Sequence, residues 1–381
     1  MKDKKKILHV ITGLGDGGAE GVLSRLCINE KSNDHIVVSL LDGGKYGGLL
    51  KDSGVPVFCL HMNSDWLGLI SAPYKLYQIL KIQRPDVVQT WMYHADLLGG
   101  IVAKLAGVKK VYWGIRHSTL KVGESKLTTI LIARLCALLS YILPVKIICC
   151  AESARAIHAA IGYKKTKLVV IQNGYEFDKL REDKGLGSNF RSEIGVSEET
   201  VLLGMVGRYN SQKGHDVFIK ALGLIKNQID FVCCFVGREM DFNNKDLLAA
   251  LEREDIQERV MMLGPRNDIV AVMNALDLHV LPSTYGEGFP NVVAESIACG
   301  TPCLASNVGD AANIIQNALF VVPPGDDVAL AERLIKIISL KKNEPELWES
   351  ISCEMQNGVY ERYSIGSMLE KYNAAWALND V

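Results

Sequence analysis

The sequence predicts an α/β protein built as two Rossmann-like, doubly wound domains that face each other across a cleft. Three observations carry that expectation. The chain has 381 residues, beyond the size at which a single hydrophobic core keeps growing. Short runs of Val, Ile and Cys alternate with longer segments of helical periodicity, the pattern of parallel strands buried on both faces. The series occurs twice, with a charged and irregular stretch between.

In the first series, strands are expected at residues 6–11, 36–41, 55–59, 87–90, 110–114, 146–150 and 168–171, with helices at 20–29, 73–82, 95–106 and 153–161. Residues 1–178 therefore read as an N-terminal domain and 179–199 as a connector. In the second series, strands fall at 201–206, 231–236, 260–263, 278–281, 302–306 and 319–322. The helices there are 214–225, 245–254, 269–275, 292–298 and 329–340. Residues 200–363 then form a C-terminal domain, and 364–381 a last helix with no strand after it. Units of this kind bind ligands at the C-terminal edges of their strands.

Composition narrows the class. An apolar fraction of 48% with 22% charged residues belongs to a folded globular chain. The ten cysteines include the adjacent pairs Cys149-Cys150 and Cys233-Cys234 inside apolar runs. None has the spacing of a metal knuckle or of a secreted disulfide framework, so they read as reduced core residues. The charged start passes into an apolar run too short for a signal peptide, which points to a cytoplasmic protein.

The net charge of -1 hides an asymmetry. Residues 1–180 carry 24 Lys+Arg and 14 Asp+Glu, a balance of +10, which leaves 18 and 29, or -11, for the rest of the total of 42 and 43. A basic first half fits an anionic acceptor or a membrane surface; chance is the bland alternative. Residues 127–143 are apolar apart from Arg134 and end at Pro144, too short and interrupted for a convincing membrane span. They read either as a buried helix or as a segment making peripheral contact with an anionic inner membrane, with Lys121, Lys126 and Arg134 near headgroups.

The turn Gly13-Leu14-Gly15-Asp16-Gly17-Gly18-Ala19-Glu20 lies between the first strand and the first helix. Bare glycine backbone and a helix N-terminus suit a phosphate. Gly13, Gly15 and Gly18 match the G-x-G-x-x-G spacing, but Asp42 sits in a glycine-rich turn and supplies no persuasive acidic partner, so a nicotinamide dehydrogenase is a minor alternative. In the second domain, Gly207-Arg208 with Lys213 follows the first strand; a guanidinium and an ammonium there would hold a diphosphate, unless the loop is only a solvated basic one. Ser283 to Glu295 then sets a strand, a Gly/Pro turn and a helix in succession, with Glu287 on the loop and Glu295 on a helix face flanked by Val293, Ala294 and Ile297. A carboxylate so placed needs donors, which ribose hydroxyls would provide.

These motifs, together with Asn173-Gly174, Leu263-Gly264 with Asp268, Pro282-Ser283 and Gly300-Thr301-Pro302, resemble glycosyltransferase family four, retaining enzymes of the GT-B fold, over nearly the whole chain. The resemblance implies that Glu295 grips the donor ribose, Glu287 approaches the hydroxyls of the donor sugar, and Arg208 and Lys213 hold the diphosphate. Phe289, Pro290, Asn291 and Val292 would surround sugar and phosphate, Pro290 only by shaping the turn. Gly207, Arg266 and the turn at Gly15, Gly17 and Gly18 complete the expected nucleotide-sugar contacts, and His117, after the strand at 110–114, is expected at the sugar. The last helix is expected to pack back on the first domain.

The expected reaction is metal-independent transfer of a hexose or N-acetylhexosamine, with a UDP-sugar as donor and no other cofactor. The acceptor expected is a polyprenyl-diphosphate-linked glycan of surface polysaccharide or O-antigen assembly, with no nucleic acid as partner. A glycerolipid or small soluble acceptor and a non-catalytic nucleotide-sugar-binding protein are the competing readings. Glu20-Gly21, where relatives often have arginine after the glutamate, and Glu176, where aspartate is more usual, bear on acceptor contacts.

Overall fold

The computed structural model describes residues 4–62, 66–121 and 123–377. The chain divides into two compact units: residues up to Gly174 together with those from Ile365 onward, and Tyr175–Ser364. Each is a parallel sheet wrapped by helices.

The first unit holds β1 (Lys6–Ile11), β2 (Asp34–Ser39), β3 (Val57–Cys59), β4 (Val87–Trp91), β5 (Lys110–Ile115), β6 (Lys146–Cys149) and β7 (Leu168–Val170). They pair in the order β3-β2-β1-β4-β5-β6-β7. Because β1 lies between β2 and β4, the winding reverses there, and the loops after β1 and β4 diverge to open a crevice at the strands' C-terminal ends. All five residues of β4 are buried, as a central strand covered on both faces requires. The last helix, Ile365–Ala377, belongs to this unit: its Met368, Tyr372 and Trp376 join Ile7, Leu26, Val37 and Trp91 in one core cluster.

The second unit holds β8 (Leu202–Val206), β9 (Val232–Val236), β10 (Val260–Gly264), β11 (Leu278–Leu281), β12 (Cys303–Ser306) and β13 (Val321–Val322) in the order β10-β9-β8-β11-β12-β13. Its reversal falls between β8 and β11, where Leu278 sits opposite Leu203. Cys233 and Cys234 are fully buried on β9, all ten cysteines are free, and burial pushes both of these thiols up from their ordinary pKa.

Residues 179–199 are not an irregular connector. They contain the helix Lys184–Glu193, capped by the Asp183 side chain on Leu186 N–H, and Arg191 anchors it with a 2.9 Å ion pair to Asp277 and a 2.8 Å bond to the Ala275 carbonyl. The helix expected from residue 73 instead runs Trp66–Gln83 with Pro73 inside. No helix among the described residues is long and apolar enough to cross a membrane.

Candidate functional site

In the second unit the β8 and β11 loops bring Lys213 and Glu287 together. After β8 the chain passes Gly207 and an exposed Arg208, forms a single tight turn at Ser211–Lys213, and enters the helix His215–Ile225. Gly214 links the two at φ 71°, and a Cβ there would lie 2.1 Å from the Pro282 carbonyl, so only glycine lets the β8 loop touch the β11 loop. That approach brings Lys213 Nζ within 2.7 Å of Glu287 Oε1, and Ser283 Oγ donates to the same oxygen at 2.7 Å. The Glu287 side chain is only 9% exposed, so the ion pair works in a poorly screened setting.

Gly309 fixes the loop from behind. At φ 63°, its missing Cβ would stand 2.3 Å from the Glu287 carbonyl and 2.6 Å from that of Gly288, and Asp310 N–H donates to the Gly288 carbonyl at 2.9 Å. Phe289 and Pro290 are buried and lead into the helix Asn291–Ala298, with Pro290 at its cap. Asn291 Oδ1 accepts from Tyr175 Oη at 2.6 Å. Glu295 is half-buried on this helix beside buried Val293, Ala294 and Ile297. His215, at the start of its helix, is buried with Nε2 unpartnered among the described residues, and desolvation lowers its pKa to about 4.

Arg266 does not join this group. Its guanidinium is held by Asp268 at 2.6 and 2.8 Å and by Glu193 at 2.9 and 3.2 Å, and it stacks on Phe190, a structural clamp on the helix Lys184–Glu193. An open cavity of about 710 Å³ beside Tyr209 is lined by Asp216, Asp246 and Glu252 with Arg253; its carboxylates make it unsuited to a diphosphate, and the site is taken to be the β8/β11 crevice instead.

In the first unit, the turn after β1 leads into the helix Gly18–Asn29, with Gly17 at the cap. A Cβ on Gly17 would meet the Glu20 carboxylate at 2.3 Å. Glu20 thus folds over its own helix start; desolvation raises its pKa and its own backbone N–H opposes that shift. A carboxylate in that position competes with an incoming phosphate, which counts against the dehydrogenase alternative. Gly15 has open space around it.

Loops after β4 and β5 carry the other candidates. Met92 is held at φ 73°, ψ 155°, a conformation usually left to glycine. Asp96, fully buried on the following helix, accepts from Thr90 Oγ1 and from Gly114 N–H at 3.2 Å, and desolvation pushes its pKa up to about 8. It steadies the end of β5, from which His117 projects half-buried with Nε2 3.2 Å from Ser125 Oγ. Since Ser125 gives its proton to the Thr119 carbonyl at 2.9 Å, the His117 Nε2–H is the donor. Arg116 is committed inward: it donates to Asn173 Oδ1 at 2.7 Å and to Tyr372 Oη, and lies 4.5 Å over the Trp91 ring. Asp96 escaped the sequence reading, the available signal being an acid on an otherwise apolar helix start; Ser283 was read as part of the Pro282-Ser283 motif but not as a partner of Glu287.

One cluster among the described residues has metal-ligand types within reach of each other: buried His9, Cys27 and His35. Its hydrogen bonds leave no vacancy. Trp91 Nε1–H donates to His9 Nδ1 at 3.2 Å, so His9 Nε2 carries the proton and donates to His35 Nδ1 at 2.9 Å; His35 Nε2–H then reaches Glu30 at 2.9 Å. The set is a chain of ring hydrogen bonds that fastens β1 to β2.

Residues 17–179 match the family model described as Glycosyltransferase Family 4, and residues 188–351 the model described as Glycosyl transferases group 1. The Anabaena HepE structure in complex with UDP and glucose superposes with a TM-score of 0.85 over 97% of this chain and 98% of that one, at 23% identity. The chain has the fold of a GT-B glycosyltransferase. The GT-B chain is also 26% identical over 326 residues, 83% of its length and 81% of the relative's, to the Escherichia coli UDP-Gal:alpha-D-GlcNAc-diphosphoundecaprenol alpha-1,3-galactosyltransferase. It is 24% identical over 209 residues, 54% and 53% of the two chains, to the Bacillus anthracis N-acetyl-alpha-D-glucosaminyl L-malate synthase.

Proposed function

We propose that the chain is a retaining glycosyltransferase that takes a sugar from a UDP-linked donor bound by the second unit. The observation that carries this reading is the meeting of Lys213, Glu287 and Ser283 at the β8/β11 reversal, with Arg208 exposed at the same strand end. Arg208 and Lys213 neutralise the diphosphate as it leaves, aided by N–H groups of Gly207, Phe289, Asn291 and Val292. Glu295 takes the ribose hydroxyls, and Glu287, already pinned by Lys213, takes those of the sugar. The acceptor hydroxyl attacks from the face that the diphosphate vacates, and a departing phosphate oxygen receives its proton; no side-chain base is needed in that scheme. To the first unit we assign the acceptor and, through His117, a contact to the donor sugar; the Gly15, Gly17 and Gly18 turn, which the Glu20 carboxylate overhangs, is assigned to sugar hydroxyls and not to phosphate. Cations of the protein fill the place a divalent ion holds in other transferases, so turnover is expected to survive a chelator, and abolition by EDTA would count against the scheme.

The acceptor proposed is a polyprenyl-diphosphate-linked glycan. The basic first half and the acceptor for which the Escherichia coli relative is named support it, as the UDP complex of HepE supports the donor base. A small soluble acceptor is the second reading, favoured by the relative named for malate. The test is incubation with radiolabelled UDP-, GDP- and ADP-sugars, with lipid extract or malate. The expected outcome is label in the lipid phase from one UDP-sugar, with the anomeric configuration kept by NMR. Glu295→Ala should weaken donor binding by at least about tenfold; unchanged donor affinity would remove Glu295 from the site, and saturable binding without transfer would leave a binding protein.

A further inference from the structure

We propose that the helix Leu127–Leu139 and the turn after it form the face by which this chain settles onto a bilayer containing anionic lipid. Leu127, Leu131, Leu135 and Leu138 are exposed, and Tyr141 and Ile142 continue the row, with Leu138 72% and Ile142 75% accessible. Steps of three and four residues align them on one side of a helix, while Ile130, Ala133, Cys136 and Ala137 are buried on the other. Single exposed leucines are ordinary in a globular protein, but a contiguous row of this kind marks an interaction surface. The helix has 13 residues, so it is suited to lying in a headgroup layer and not to spanning one.

Charge selects the occupant. Exposed Lys126 caps the start of the helix and exposed Arg134 flanks the leucine row. At the other end, Lys167 Nζ donates to the carbonyls of Ser140 and Tyr141, each at 3.0 Å, and Lys164 Nζ lies 5.9 Å from the Tyr141 ring centre. Lys167 and Lys164 thus set two ammonium groups at this end of the row, and burial and the ammoniums of Lys164, Lys104 and Lys146 lower the pKa of Lys167. Glu124 is the one carboxylate in the sequence between Asp96 and Glu152. A second copy related by a twofold axis would set this basic collar against itself; a sheet of phosphate headgroups would relieve it while the leucines enter the acyl boundary.

This face deepens the lipid-linked acceptor reading and rests on it only for its purpose, so docking and transfer are scored apart. Intact protein is sedimented with phosphatidylcholine vesicles with and without about 30% phosphatidylglycerol, at low and high salt. Binding is expected only with the anionic lipid and is expected to weaken with salt. Leu138→Glu, and Leu138→Ser should the former melt early, is expected to lower partitioning about tenfold; Lys126→Gln and Arg134→Gln about fivefold each. Equal binding to neutral vesicles, or parental binding by Leu138→Glu, would overturn the proposal. So would a dimer seen by analytical ultracentrifugation that Leu138→Glu dissolves, which would give the face to a second copy. Transfer to a water-soluble acceptor analogue is measured in parallel: transfer without vesicle binding sinks the docking face alone, and vesicle binding without transfer sinks the catalytic reading alone.

Discussion

Replacing Gly309 with alanine tests whether the Glu287 loop is held in place by backbone contact. Alanine at φ 63° costs about 1–2 kcal/mol for its conformation alone. Its Cβ would also stand 2.3 Å from the Glu287 carbonyl oxygen and 2.7 Å from the carbonyl carbon. Both are main-chain atoms, so the loop must retreat by about 1 Å to reach ordinary contact. The Glu287 carboxylate cannot follow without stretching its 2.7 Å bonds to Lys213 and Ser283, and losing one charge-assisted bond costs about 1.5–3 kcal/mol more. The sum is about 3–5 kcal/mol, or roughly 10 °C in the melting of a unit of this size. A shift of that size beside the proposed donor site is expected to lower turnover about 100-fold. The control is Gly325→Ala, where φ is 77° but nothing lies within 4 Å; it should pay only the conformational cost and keep full transfer. Melting by calorimetry and transfer rates for both variants decide the matter. If Gly309→Ala melts and turns over like Gly325→Ala, the loop is not braced in the way the distances imply.

Lys213→Ala should reduce turnover by about 10²–10³ and remove the ion pair from Glu287, and a variant within threefold of the parent in steady-state rate would contradict the role of Lys213. Asp96 has a pKa raised to about 8 in the folded state, so the native protein holds a proton that the unfolded chain releases near pH 4. Stability should therefore fall as pH rises from about 4 to 8 and level off above. Asp96→Asn removes that contribution, and identical melting-temperature slopes in parent and variant over this window would refute the assignment. Glu30→Gln should cost about 1–3 kcal/mol, because the Glu30 carboxylate takes the His35 ring and Asn373 of the last helix; unchanged urea unfolding of the first unit would count against the chain of ring hydrogen bonds as a fastening.

The sheets were legible in sequence because their strands announce themselves. Runs such as Val-Cys-Cys-Phe-Val have no polar face to place, and a strand buried on both sides is their stable use. Helices with weaker signals were not. Gly44–Asp52 hides behind four glycines, and Pro345–Arg362 buries little beyond Met355 and Val359. The stretch 179–199 read as connector because its exposed side is charged, while the anchor Arg191 looks in sequence like any other surface cation. The candidate site was partly legible: strand-end positions located Lys213 and Glu287, but their pairing across 74 residues depends on β8 lying next to β11. Arg116 and Arg266 show the limit of reading charge by type. The first is bound to Tyr372, 256 positions away, and the second to Glu193; neither partner is hinted at by local spacing.

The first unit is assembled from two separated stretches, residues up to Gly174 and those from Ile365 onward, with Met368, Tyr372 and Trp376 in its core. During synthesis its seven strands emerge first yet must wait for the final helix before their interior is sealed, whereas the unit begun later is finished earlier. A nascent chain stalled before Ile365 would carry a completed second unit and an open first one, an obvious client for chaperones. Removing the helix Ile365–Ala377 should unseal the first unit's core and leave the second unit folded.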